Sequence, residues 1–352
     1  MMNNTGKPIP FSYAFSFQEG MAHIIRKSGT GFINKSGELI VPCTYEMAFS
    51  YSEGLVMVQK DGKCGYLDKS GNIVIPIEYD DADIFSDGLA GVCKDGKWGF
   101  IDKQGNLVIP YTYDATNCFA EGLCGVIKDG KAGVIDKQGN EIIPFIYEDI
   151  YQFSEGLICA KKDSCSGFID AAGTEVIPFI YDGGSILSIV CKDGLICTFK
   201  DGKGGVIDKT GNEVVPFIYE DIAYEYSEGL VYVRLNGKYG AVDSHGNEII
   251  PFTYDHLSSF SEGLAAASSG GKYGFINKMN EAVIPFVYTS AYAFSDGLAL
   301  ISEKGRNAWF IDKFGDAGIA LKRSYTTLEK AKAAILILAA GLILYALIKA
   351  LL

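Results

Sequence analysis

Histidine and tryptophan are scarce: the 352 residues include three His and two Trp. His23, His245 and His256 fall at unrelated places in the chain, and no HExxH, GxSxG or phosphate-loop Gly-Lys-Ser/Thr pattern appears. Neither a His-based metal centre nor a Ser-His-Asp triad is indicated, and none of the familiar catalytic motifs supplies a nucleophile or a phosphate cradle. The expectation is therefore no enzyme, no cofactor and no metal. Basic residues are also in deficit. Lys and Arg number 31 against 43 Asp and Glu, a formal net charge of −12. That excludes the basic footprint non-specific nucleic-acid binding requires. Residues 1–17 contain one Lys and no apolar run, so no secretory signal is read there. The nine Cys form no CxxC pair, although Cys118/Cys124, Cys159/Cys165 and Cys191/Cys197 lie six apart. Small, reduced core residues in a cytoplasmic compartment are the expectation, not a disulfide framework or a zinc site.

What is abundant is Gly, at 42, and Tyr and Phe, at 21 each. Gly supplies turns and aromatic rings suit half-buried pleated surfaces, which points to an all-β chain. Three landmarks recur. An acid precedes Gly-Leu (or Gly-Met) at Gly20, Gly54, Gly88 and six later places; a second Gly follows 11 residues on, at Gly31, Gly65, Gly99 and onward; a Pro follows 11 residues after that, from Pro42 through Pro110 to Pro285. A Tyr stands three residues after each of these prolines, from Tyr45 through Tyr113 to Tyr288. Eight of the ten prolines occupy this one position, and Pro10 is a degenerate ninth. Length varies only between Tyr and the next Gly-Leu. The gap is nine residues as a rule, ten after Tyr219 and 13 after Tyr181. The array thus has about nine units near 34 residues each, with a loop insertion over residues 182–188.

Each unit reads as three strands. Leu89 to Lys94 is the first; Asp95-Gly96 is a type I′ hairpin signal; Phe100 to Lys103 is the second strand; Gln104-Gly105-Asn106 is another turn; Leu107 to Tyr113 is the third. Pro110 has no N–H to give, so it belongs at an edge, an end or a bulge. One such meander cannot bury enough apolar surface alone, and stacked units can share a core. The Tyr after Pro and the Phe before the acid (Phe85, Phe119, Phe153, Phe260, Phe294) are the expected packing residues between units.

The run Lys97-Trp98-Gly99-Phe100-Ile101-Asp102, with Val108-Ile109-Pro110 and Phe85-Ser86-Asp87-Gly88-Leu89, resembles the WG (or KWG) β-repeat family of bacterial proteins. The resemblance covers roughly residues 10–315 and implies a repeat scaffold without a substrate. Trp98-Gly99 alone keeps Trp before Gly; other units place Cys64, Ala132, Ser166, Gly204, Tyr239 or Tyr273 there, and the last unit has Trp309 in the Gly position. Trp98, Gly99, Pro110, Tyr113 and Gly88 are accordingly structural repeat positions.

The expected architecture is a set of three-stranded meanders stacked as an open β-solenoid or superhelical array, with a β-propeller as the alternative. A start on a third-strand-like segment (residues 9–17) and an end on first and second strands (residues 298–313) suit a ring closed by strand exchange, but nine three-stranded blades depart from the usual four to eight blades of four strands. Residues 1–19 form a partial repeat, 20–318 the array, 319–332 a linker and helix start, and 333–352 an apolar C-terminal α-helix. Residues 333–348 carry no charge. As a helix they span about 24 Å, and about 30 Å if counted to Leu352, the thickness of a bilayer core. With Lys322, Arg323, Lys330 and Lys332 before it and Lys349 after, a membrane anchor with cytoplasmic repeats is expected, a soluble cytoplasmic protein with a buried cap being the alternative. The function expected is a non-catalytic scaffold for an unknown protein partner; a small-ligand or glycan binder using grooves between units is the second reading. Asp182, Gly183, Gly184 and Ser185, at the inserted joint, are the candidate interaction residues.

Overall fold

The computed structural model describes residues 9–182, 191–223, 226–303 and 307–323. These residues form nine sheets, eight of four strands and one of five. All pairs within the repeat are antiparallel, and blade 3 shows the pattern: Asp81–Ala82, Leu89–Lys94, Lys97–Asp102 and Leu107–Tyr113 pair in chain order. In most blades the first strand has two residues and follows directly on the last strand of the preceding blade; in blades 1 and 5 it has six. It escaped the sequence reading because two residues are too few to show an alternating pattern. The unit is therefore four-stranded, not three-stranded.

The blades close into a ring, which makes the molecule a nine-bladed β-propeller and not the open array expected. The closure is explicit. Ser295 Oγ donates to the Phe17 carbonyl, Gly20 N donates to Asp296 Oδ2 at 2.6 Å, and the Phe17 and Phe310 rings meet edge to face at 4.7 Å. Ile9–Phe11 adds to the edge of blade 9 as a parallel fifth strand beside Ala317–Arg323. The end of the chain thus supplies a complete last blade, where the sequence suggested only its first two strands.

The core lies between blades and not inside one. Nine hydrophobic clusters are found among the described residues, and each unites two neighbouring blades. At one joint Phe100 meets Phe119 at 4.9 Å, and at another Tyr66 meets Phe85 at 4.8 Å. The Phe before the acid thus packs on the third strand of the previous blade. The Tyr after Pro does the converse job: Tyr113 stacks on Phe145 and Tyr147 on Phe179, each ring from one blade and its partner from the next. Such aromatic contacts contribute about 0.5–1.5 kcal/mol each beyond area burial. A ring of repeats needs no capping element, since every blade face has a neighbour. No helix occurs among the described residues, and none there is long and apolar enough to cross a membrane. The expected C-terminal helix, residues 333–352, lies outside the described residues.

Candidate functional site at the joints between blades

Most of the conspicuous polar residues are committed to holding turns. The acid and Gly of each acid-Gly-Leu step both take positive φ, as at Glu53 (52°) and Gly54 (84°), and Ser52 and Leu55 exchange backbone hydrogen bonds across them. This is a two-residue hairpin whose central positions need the left-handed region. The acid then reaches along the ring. Gly54 N donates to Glu19, Gly88 N to Glu53, Gly122 N to Asp87 and Gly156 N to Glu121. A Lys completes several of these stations: Lys69 lies 3.0 Å from Glu19, Lys103 2.9 Å from Glu53 and Lys209 2.9 Å from Glu155. These contacts hold the Glu19 and Glu155 carboxyls below the usual range, against a burial effect that pushes the other way and is the largest influence at Glu19.

The acids after Tyr are used similarly. Asp80 accepts from Asp95 N at 2.7 Å and pairs with Lys63; Asp114 accepts from Asp129 N and pairs with Lys97. Glu148 and Glu220 cap the corresponding turns of their blades through Ser164 N and Gly237 N. Asp81, Asp83 and Asp149 instead turn toward the protein, and burial raises all three, Asp83 to about 7. Among the described residues no group of three or more His, Cys, Asp or Glu is placed to hold a metal ion.

Asp182, the one described member of the proposed contact at the inserted joint, is a turn cap. It accepts from Asp201 N at 3.1 Å and Gly202 N at 2.8 Å. Gly183, Gly184 and Ser185 lie outside the described residues. Gly88 is the left-handed residue of a hairpin, Tyr113 is buried at the joint with blade 4, and Pro110 sits in the bulged outer strand. Trp98 is half-buried and pairs with Cys93 and Tyr113. His23 is enclosed between Phe15 and Phe32, bonded to Thr30 Oγ1, and lowered to about 4 by burial.

Two surface features were missed. The first runs around the rim. The outermost strands leave aliphatic side chains in solvent at two recurring positions: three residues before Pro, where Ile73 is 58% exposed and Leu107 48%, and two residues after it, where Ile146 is 61% exposed and Val287 52%. Alternation along a strand that pairs on one side only carries this signal, and it can be read from the Val-Ile-Pro-Phe-Ile-Tyr pattern once the strand is known to be outermost. The second is local to blade 7 (residues 221–254) and blade 8 (residues 256–288). Tyr232, Tyr239, His256 and Tyr273 follow one another at ring-centroid separations of 6.0, 6.0 and 5.7 Å. Tyr239 Oη donates to Asp221 at 2.8 Å, and the Arg234 guanidinium sits 5.7 Å from the Tyr239 ring centre. Tyr239 and Tyr273 share one repeat position, but nothing in the sequence announces that the ring geometry sets His256 between them.

A family model described as the WG containing repeat matches eight consecutive stretches, residues 31–64, 65–98, 98–131, 133–164, 167–203, 205–239, 239–273 and 273–306. No curated protein matches the chain by sequence. In fold the chain is similar to a solved structure described as the eukaryotic initiation factor, with a TM-score of 0.61 and 11% identity over 87% of this chain and 96% of that one. Weaker likenesses include the dihydro-heme d1 dehydrogenase NirN in complex with DHE (TM-score 0.47, 12% identity, 92% of this chain and 77% of that one) and BamB from Moraxella catarrhalis (0.39, 11%, 87% and 98%). At such identities the first is a likeness of fold alone, and the other two carry no argument. The eight matches tile almost the whole ring, each ending near where the next begins, and the chain belongs to the WG-containing repeat family.

Proposed function

We propose that the ring is a non-catalytic scaffold that binds another protein through its outer rim. The observation that supports this is the belt of exposed aliphatic side chains on the outermost strands. Exposed apolar surface that recurs over neighbouring elements marks protein contact sites more often than isolated apolar residues do. The polar groups of the blades support the same reading from the other side, because the recurrent acids and lysines are engaged in turn capping. The apolar run at residues 333–352 would hold this scaffold at a membrane, as its sequence suggests.

The test substitutes the rim without touching the core. A chain carrying Ile73→Lys, Leu107→Lys and Ile146→Lys should keep its melting temperature and lose the partners that cross-link to the unaltered protein in its own cells. Unchanged cross-linking, or turnover of any substrate by the ring, overturns the proposal. Fractionation of the full chain beside one truncated after Arg323 decides the tethering: the full chain alone should sediment with membranes and resist alkaline wash, and its recovery in the supernatant would leave the soluble alternative.

A further inference from the structure

The repeat separates scaffold from function. A residue type shared by all units serves the ring; chemistry found at one joint alone serves something else. The joint between blades 7 and 8 is exceptional in this sense. Two repeat positions meet there: the residue before the second Gly of one blade and the residue after the turn-capping acid of the next. Between blades 3 and 4 these are Trp98 and Ala115, and between blades 4 and 5 they are Ala132 and Asp149. Between blades 7 and 8 they are Tyr239 and His256, and Tyr273 of blade 8 continues the row beyond His256. His256 is exposed and the tyrosines are half-buried, so the row reaches the surface as a strip.

The electrostatics of the strip narrow its ligand. Glu220 and Asp221 stand beside it with one guanidinium, Arg234; of the neighbouring lysines, Lys238 is paired with Asp255 and Lys272 donates to the Val287 carbonyl, in a chain of net charge −12. An anionic ligand such as a nucleic acid or a phosphate meets two carboxylates there. A cationic ligand meets Arg234 already placed over the Tyr239 ring, in the place a cation would take. A wholly apolar ligand would strip water from the His256 imidazole and from the paired Tyr239 hydroxyl and Asp221 carboxylate without offering them a partner, which costs free energy. Arg234 Nε has no hydrogen-bond partner and lies 3.6 Å from Glu220, beyond a hydrogen bond. What remains is a neutral molecule with flat apolar faces and hydroxyl edges. Aromatic rings supply the faces, and carboxylate, imidazole and phenol groups supply acceptors and donors for the edges.

We propose that Tyr239, His256 and Tyr273, flanked by Asp221 and Arg234, form a binding strip for a neutral oligosaccharide, successive sugar rings resting on successive aromatic side chains. The second reading of the sequence, a glycan held in grooves between units, thereby acquires one location instead of nine. The proposal is independent of the rim, which lies on the outermost strands.

Affinity electrophoresis of the full chain tests it. The probes are three neutral polymers (hydroxyethylcellulose, laminarin and a soluble glycol chitin) and one anionic polymer, alginate. At least one neutral polymer should retard the protein, and alginate should not. His256→Ala and Tyr273→Ala should weaken retardation at least tenfold, and Tyr239→Phe, which keeps the ring and removes the hydroxyl, should weaken it less than Tyr239→Ala. Tyr292→Ala, which removes an exposed Tyr of blade 9, should leave it unchanged, and circular-dichroism melts should show all variants folded. Retardation by none of the neutral polymers overturns the proposal. So does equal binding of alginate, or wild-type affinity in both His256→Ala and Tyr273→Ala. Rim variants that lose their protein partner yet still bind the polymer would show the two surfaces to be separate.

Discussion

A Cβ on Gly99 would stand 2.6 Å from the carbonyl oxygen of Ile109. The approach is this close because the outer strand bulges there. Trp98 pairs with Tyr113 and Phe100 with Ile109, so two extra residues of the outer strand lie opposite Gly99. Pro110 occupies that bulge, where a missing N–H costs no ladder bond. Gly and Pro of the repeat are therefore one device. Blade 9 shows the converse: Trp309 replaces the Gly, Ala320 replaces the Pro, and the two pair with each other in regular register. The same flat outer strand is the one that accepts Ile9–Phe11 as a fifth strand.

Gly99→Ala should therefore destabilise the ring by about 2–3 kcal/mol, the upper part of the range for overpacking, because the backbone it meets cannot move aside. Gly88→Ala has open space around its Cβ but a φ of 84°, so it should cost only about 1–2 kcal/mol. Urea denaturation of both variants checks the order. Equal costs would mean that the bulge adapts to a side chain.

Ring closure can be tested at Phe17, which is fully buried against Phe310. Phe17→Ala should cost about 3–5 kcal/mol, as a large core truncation does. In an open array Phe17 would lie on a free end, and its loss would shift stability by less than about 0.5 kcal/mol. Phe119→Ala, at a joint the chain also bridges covalently, is the reference. Hydrogen exchange should rise in blades 1 and 9 for Phe17→Ala and in blades 3 and 4 for Phe119→Ala.

Acid should loosen the turns. Asp208 accepts from Thr210 N, Thr210 Oγ1 and Asn212, and these bonds bring it to about 2, with the Thr210 hydroxyl bond the largest cause. A carboxyl lowered on folding contributes stability that is present above its unfolded value of about 4 and is lost as pH falls through the folded one. The ring should lose stability between about pH 4 and pH 2. The repeat itself provides the control, since Asn34 and Asn277 fill the same cap with a neutral acceptor. Asp208→Asn should cost less than about 1 kcal/mol at pH 7 and make the acid limb shallower. An unchanged acid limb would show that Asp208 carries none of it.

Much of this fold is legible in the sequence, and the reason is the repetition. The Asp95-Gly96 hairpin, the strand Leu107–Tyr113 and the packing of Phe119 and Tyr113 between units all leave local marks that recur, and the structure places each of them as read. Closure leaves no such mark. Phe17 and Phe310 carry the same pattern in a ring and in a row, and only the accumulated rotation from blade to blade decides whether they meet. The strip of Tyr239, His256 and Tyr273 was hidden for the opposite reason. It depends on residues that break the repeat, and a reading organised by recurrence gives least weight to those.

Asp83 sets the opposite pH sense from Asp208. Burial in the inner segment of blade 3 raises it to about 7, with the neighbouring Asp81 charge adding to the effect. A carboxyl raised on folding contributes stability that is full below its unfolded value of about 4 and is lost as pH climbs to the folded one. Above pH 7 the folded ring carries the desolvated charge at a constant cost. Asp83→Asn keeps the shape and removes the charge, so it should stabilise the ring at pH 8 by on the order of 1–3 kcal/mol and by much less at pH 4. Thermal melts of the two proteins across that interval measure the difference directly. If the difference does not grow with pH, Asp83 is solvated in solution and the inner segment of blade 3 is open to water.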